Sequence, residues 1–258
     1  MADINDILGN ERVKEHFIAA VHHKKISHAY IIEGDKGSGK KMLASAFSKI
    51  LQCETRQKTE EERACNQCES CIQMENKDHP DVIWVSHEKA GVISVGEIRE
   101  QVVNTVDIMP YKGPYKIYII DEVHMLSASA FNALLKTLEE PPKHVIFILA
   151  TTEPHKILPT VLSRCQRYDF KALSPNEIYN VLENVCLKEN AAFDKEALMH
   201  IAKASDGGLR DALSFLDQAL SFCDEKITDD DAASVTGTVS KQKLIDLAEA
   251  MKDKKLTE

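Results

Sequence analysis

Gly34-Asp35-Lys36-Gly37-Ser38-Gly39-Lys40 follows the apolar run Ala29-Tyr30-Ile31-Ile32. It opens a stretch, Lys40 to Gln52, in which Met42, Leu43, Ala46, Phe47, Ile50 and Leu51 recur at helical spacing. The segment matches G-x-x-x-x-G-K between a strand and a helix, where the mechanism needs it. Glycines there let backbone N–H groups wrap phosphate oxygens, the helix N-terminus adds partial positive charge, and Lys40 reaches the β- and γ-phosphates. Gly34, Gly37, Ser38, Gly39, Lys40 and Lys41 are therefore the candidate nucleotide-binding residues; the bland alternative is a Gly-rich turn before a helix. Lys41 departs from the pattern. A Ser or Thr hydroxyl normally ligates Mg²⁺ at that position, and a protonated ammonium has no lone pair to offer a cation. ATP or ADP binding is expected, with Mg²⁺-dependent hydrolysis weakened or abolished.

Working outward, three more candidate strands are apolar but for the leading Lys116: Val82-Ile83-Trp84-Val85, Lys116 to Ile120 and Val145 to Leu149. Strands that do not alternate belong to a parallel sheet covered on both faces. Helical patterns lie between them. Ser94 with Glu97 reads as a capping box opening a helix through Ile98, Val102 and Val106, and a helix from about Ser127 to Leu138 must stop before Pro141-Pro142. Strands alternating with helices predict a doubly wound α/β domain. After about Lys171 the strand signals vanish. Ser174 to Glu189, Asp194 to Ala204, Leu209 to Phe222 and Thr228 to Val235 read as the helices of a small second domain, and a further amphipathic helix begins near Lys241.

The chain has 258 residues, 43% of them hydrophobic, enough for two domains and part of a third. It carries no long apolar run and no signal-like N-terminus, so a cytoplasmic protein with no membrane partner is expected. A net charge of −9 excludes a protein that coats DNA by itself, because neutralising phosphates needs Lys and Arg. Seven cysteines in such a chain are not read as disulfides. Cys53, Cys65, Cys68 and Cys71 bring four thiolates into one short polar insertion, which suits tetrahedral Zn²⁺; Fe–S ligation and unliganded buried thiols are the other readings. His79 is surplus if all four bind. Cys165, Cys186 and Cys223 read as ordinary core or site-lining residues.

The run Ile117-Tyr118-Ile119-Ile120 ends in Asp121-Glu122. In a P-loop enzyme such an Asp holds the Mg²⁺ shell and the Glu orients the attacking water. A surface acidic strand end is the structural alternative. Asp121-Glu122-Val123-His124-Met125-Leu126, Phe131 to Pro142, Leu149-Ala150-Thr151-Thr152-Glu153-Pro154 and Leu162-Ser163-Arg164-Cys165 together resemble the clamp-loader subunits of bacterial DNA polymerase III in order and spacing. The resemblance runs from Leu8-Gly9-Asn10 to Gly208-Leu209-Arg210-Asp211-Ala212-Leu213, essentially the whole chain.

The resemblance implies an AAA+ P-loop NTPase domain over 1–172 with a zinc module at 53–71, a helical lid over 173–239, and the start of a helical collar over 240–258. It casts Arg164 as an arginine finger acting in trans on a neighbour's ATP, Thr152 as a sensor of the γ-phosphate, and Arg210 as a second sensor in the lid. On the residues alone, each has a plain reading: a surface salt-bridge partner, a strand-end turn former and a solvated helix-start arginine. The implied partners are other clamp-loader subunits in a hetero-oligomeric ring, the sliding clamp, and primer–template DNA through the assembled complex. With only the beginning of a collar, the chain is expected to be monomeric or weakly associating alone. Lys41 and His79-Pro80-Asp81 point to the delta-prime type, with a weakened ATP site. Asp121-Glu122, Phe131 to Pro142 and Gly208 to Asp211 point to a gamma/tau motor. The missing metal ligand bears directly on chemistry, so the delta-prime type is preferred. An ATPase of recombination or repair, which has no reason to carry the cysteine insertion, and a scaffold that binds no nucleotide are the readings from other classes.

Overall fold

The computed structural model describes residues 3–59, 63–85, 91–222 and 226–238. The expected collar start at 240–258, and Cys223, lie outside the described residues. The chain divides into two compact units, residues 1–35 with 39–171 and residues 36–38 with 172–258.

In the first unit α1 (Glu11–His22) precedes β1 (Ala29–Glu33) and α2 (Lys40–Gln52). Two short helices follow, α3 (Glu54–Thr59) and α4 (Glu69–Asn76), then β2 (Val82–Trp84) and α5 (Val95–Ile98). The remainder is β3 (Lys116–Ile120), α6 (Ala128–Glu139), β4 (Val145–Thr151), α7 (Pro159–Leu162) and β5 (Gln166–Asp169). The strands form one parallel sheet in the order β2-β3-β4-β1-β5. Every residue of β3 and β4 is buried. Alternate side chains feed two cores: Ile31, Tyr118, Ile120, Phe147 and Leu149 pack with Phe131 and Leu134 on one face. Tyr30, Ile32, Ile119 and Ile148 pack with Phe17, Leu43 and Phe47 on the other. Each such side chain contributes about 1.5–3 kcal/mol of burial, which explains why these strands carry no polar alternation.

Two features differ from the sequence expectation. β5 is a fifth strand, paired with β1 but largely exposed, so its polar composition hides it. The helix opened by the Ser94–Glu97 capping box is α-helical only to Ile98 and widens into a π-turn over Arg99–Val103. Asn104 N–H there donates to Arg99 O at 2.8 Å. The carbonyls freed beyond it are taken by side chains, Thr105 O by Lys116 Nζ at 2.7 Å and Val106 O by His144 Nε2 at 3.1 Å.

The described residues of the second unit form the helices α8 (Pro175–Lys188), α9 (Lys195–Ala204), α10 (Leu209–Phe222) and α11 (Asp229–Thr236). Two-residue strands β6 (Ala192–Phe193) and β7 (Lys226–Ile227) pair in parallel beside them, so the unit is not all-helical as expected; elements this short leave no apolar run to read in the sequence. Capping boxes at Ser174–Glu177 and Thr228–Asp231 open α8 and α11. Cys186 is wholly buried, as its core reading requires.

Candidate functional site

β3, β4 and β1 are neighbours in register, with Ile120 beside Leu149 and Glu33 beside Thr151. Their carboxyl ends therefore bring the phosphate loop, Asp121-Glu122 and Thr152 to one edge of the sheet, the edge at which open α/β sheets take ligands. Gly34 N–H donates to Thr151 O at 3.2 Å. Gly39 sits at φ +103° and starts α2, a conformation that Cβ-bearing residues resist. At the loop's tip Gly37 has φ +82° and Ser38 is buried.

Lys40 is buried, and its ammonium donates to the carbonyls of Gly34 at 2.7 Å and Asp35 at 2.6 Å. Burial pulls its pKa down, opposed by the charges of Glu122, Asp121 and Asp35, while Lys41 pulls it down further. Lys41 reaches from the first turn of α2 to Asp121, with Nζ 2.5 Å from Oδ2. The other oxygen of that carboxylate, Oδ1, is buried and has no hydrogen-bond partner among the described residues. Glu122 occupies the left-handed region at φ 46°, ψ 48°, uncommon for a residue with a Cβ. That twist turns its carboxylate to accept from Thr152 Oγ1 at 3.0 Å and Thr152 N–H at 3.3 Å. His124 Nδ1 lies 3.4 Å from the same oxygen and 3.1 Å from Thr151 Oγ1. The edge thus brings together a glycine-rich loop, a buried ammonium and a braced acidic residue. A magnesium shell does not fit it: the hydroxyl ligand is replaced by Lys41, whose ammonium holds Asp121.

Cys53, Cys65, Cys68 and Cys71 gather with their sulfurs all within 4.8 Å of one another. Cys53 ends α2, and Cys68 and Cys71 belong to the start of α4. Tetrahedral Zn–S bonds place sulfurs about 3.8 Å apart, and Cys65 Sγ lies 4.0 Å from Cys71 Sγ. Backbone N–H groups already point at the sulfurs: Cys65 and Arg56 donate to Cys53 Sγ at 3.3 and 3.5 Å, and Cys68 and Gln67 donate to Cys65 Sγ at 3.3 and 3.5 Å. Burial acts to raise the Cys65 thiol, but hydrogen bonds from Thr55 and from the Gln67 and Cys68 N–H groups bring it down to about 6. Burial pushes Cys53 and Cys71 up. The donor set fits a four-sulfur metal site. His79 takes no part: it is buried, and its Nδ1 accepts the Asp81 N–H at 3.1 Å.

A family model described as "DNA polymerase III, delta subunit" matches residues 9–174. A second, "DNA polymerase III clamp loader subunit, ATPase lid domain", matches residues 177–225. The chain belongs to the DNA polymerase III clamp-loader subunit family. It is similar to DNA polymerase III subunit tau of Bacillus subtilis, 44% identical over 98% of this chain and 44% of that protein. Subunit tau of Escherichia coli is 39% identical over 95% of this chain and 37% of that protein. Subunit gamma of Buchnera aphidicola (subspecies Baizongia pistaciae) is 33% identical over 98% and 66%. The chain thus spans less than half the length of the two tau relatives. Among solved structures, the Holliday junction branch migration motor RuvB of Thermotoga maritima matches 99% of this chain and 80% of that one, with TM-score 0.61 at 15% identity. That likeness establishes the fold, a parallel α/β domain followed by a helical domain, the second of which the lid model matches.

Within this clamp-loader chain the predicted finger, Arg164, is not drawn to Asp121 and Glu122. Its guanidinium donates to Glu139 at 2.8 Å and to Thr160 O at 2.7 Å. Arg210 stands in the first turn of α10 with an exposed side chain. Cys165 is half-buried against the core. Asp81, named in the sequence only as part of His79-Pro80-Asp81, has a bracing role the sequence does not show: its buried carboxylate accepts the successive N–H groups of Tyr111, Lys112 and Gly113 at 2.5, 2.7 and 2.8 Å. Lys112 in turn pairs with Glu69 at 2.8 Å, and Glu54 accepts from Ser70 Oγ at 2.8 Å. This chain of contacts ties the cysteine module to β2. The only sequence signal for it is an Asp directly ahead of an apolar strand. No helix among the described residues is long and apolar enough to cross a membrane.

Proposed function

We propose that the chain is a delta-prime-type subunit of the bacterial clamp loader. It works in a hetero-oligomeric ring with other clamp-loader subunits, and the ring loads the sliding clamp onto primer–template DNA. In this reading the phosphate loop and Lys40 hold a nucleotide with little hydrolysis. Arg164 leaves Glu139 to reach ATP on the neighbouring subunit, where a planar guanidinium stabilises charge spreading over the γ-phosphate. Thr152, bonded to Glu122, serves as the sensor on the strand edge, and Arg210 couples nucleotide to the lid. The four cysteines hold a structural zinc. The domains are the nucleotide-binding domain over 1–172 and the lid from 173 onward.

The observation that carries the reading is the Lys41–Asp121 pair, which removes a metal ligand and neutralises a second one. A gamma/tau-type motor is the alternative, favoured by the tau and gamma relatives and by the braced Glu122–Thr152 pair. Hydrolysis assays separate the two. The delta-prime reading expects no turnover above background by the chain alone with Mg²⁺. It also expects Arg164→Ala to cut turnover of the reconstituted ring about 10³-fold. Robust turnover by the chain alone establishes the motor reading, and an unchanged ring rate removes the finger from Arg164.

A further inference from the structure

Lys41 does more than lack a hydroxyl. Its ammonium lies against Asp121 Oδ2 at 2.5 Å, at the strand-end carboxylate that a P-loop metal shell uses. The side chain of Lys41 is 65% exposed, and exposed ion pairs contribute little to stability. The pair therefore matters through what it excludes. Mg²⁺ demands near-ideal octahedral oxygen ligands at short range and gives up its waters reluctantly. Here it meets a fixed positive charge where it needs a hydroxyl, and a carboxylate whose charge is already matched. Lys40, one residue away at the start of the same helix, adds a second ammonium to the cradle.

We infer that Lys41 is a built-in counterion that replaces the metal, so that the loop takes the metal-free nucleoside polyphosphate anion instead of its magnesium complex. The inference rests on the reading of the loop as a phosphate cradle and adds the ligand's chemical form. Lys40 and the N-terminus of α2 lie at the loop, Lys41 cancels the charge of Asp121 that would otherwise repel an anion there, and ATP without Mg²⁺ carries the larger negative charge for this edge to match. Its consequence is a reversed sign. At an ordinary P-loop, magnesium tightens nucleotide binding; here magnesium weakens it, because the ion sequesters the anion in solution.

Calorimetric titration of the purified protein with ATP and with ADP, in magnesium-free buffer and at millimolar Mg²⁺, tests this. No chelator is added, so that metal on the cysteines is left in place. Wild type is expected to bind ATP about threefold or more tightly without magnesium. Lys41→Thr, a change on an exposed first turn of α2, is expected to invert the order, with Mg²⁺ tightening binding about tenfold. Tightening of that size in wild type overturns the inference. Binding by Lys41→Thr with magnesium beside silence in wild type also overturns it, while leaving the cradle reading intact. Silence of both proteins in every buffer removes the cradle itself, and a thermal melt of each shows that the fold is present.

Discussion

The cysteine module and the phosphate edge are both places where the sequence prepares for a cation, and they are prepared in opposite ways. At the cysteines, four donors converge and N–H groups are aimed at the sulfurs. At the glycine-loop edge the glycines, the helix N-terminus and Lys40 are in place, yet Lys41 stands where the P-loop pattern has a hydroxyl and its ammonium holds Asp121. One site is complete for a metal; the other has an internal cation instead. A motif match alone does not distinguish these cases, whereas the charge and lone pairs of each donor do.

The contrast breaks most visibly at the cysteines. Replacing the buried Cys71 by Ser is expected to lower bound zinc from about one ion per chain to near none and to lower the melting temperature, because metal binding energy is folding energy in such modules. Elemental analysis and a thermal melt check this. Nucleotide affinity should stay within about threefold of wild type if the two sites act separately. The next largest effect is expected at Asp81→Ala, which leaves three consecutive N–H groups without their anionic acceptor. A loss of about 2–4 kcal/mol in urea unfolding is expected, and faster release of zinc than from wild type would show that the Lys112 contacts carry the brace to the cysteines. The smallest is Lys40→Ala, with nucleotide affinity lowered about tenfold and zinc content unchanged. If Lys40→Ala also loses zinc, the two regions are not independent.

Much of this was legible before any coordinates. β1, β3 and β4 are apolar because both faces are covered, so they announce themselves, as do the P-loop between β1 and α2 and the spacing of the cysteines. β5 was silent because an exposed edge strand needs no hydrophobic face. The missing hydroxyl at position 41 could be read from one residue. Its contact with Asp121 could not, since the two are 80 positions apart and meet only when β3 is placed near β1. The same holds for Glu139 beneath Arg164, and for Asp81, whose role depends on the conformation of a loop 30 residues away.

Gly34 deserves a different kind of reading. A methyl group at its α-carbon would stand 2.1 Å from the carbonyl oxygen of Phe170, so backbone passing behind the loop leaves no room for any side chain. Such a glycine is demanded by assembly of the sheet before a nucleotide ever arrives. Position 41, by contrast, is an exposed helix start where packing places little demand on the side chain. A lineage that gives up hydrolysis is therefore free to drift at 41 and not at 34. The glycine signature becomes a record of architecture, while the residue after the lysine records what the site still does.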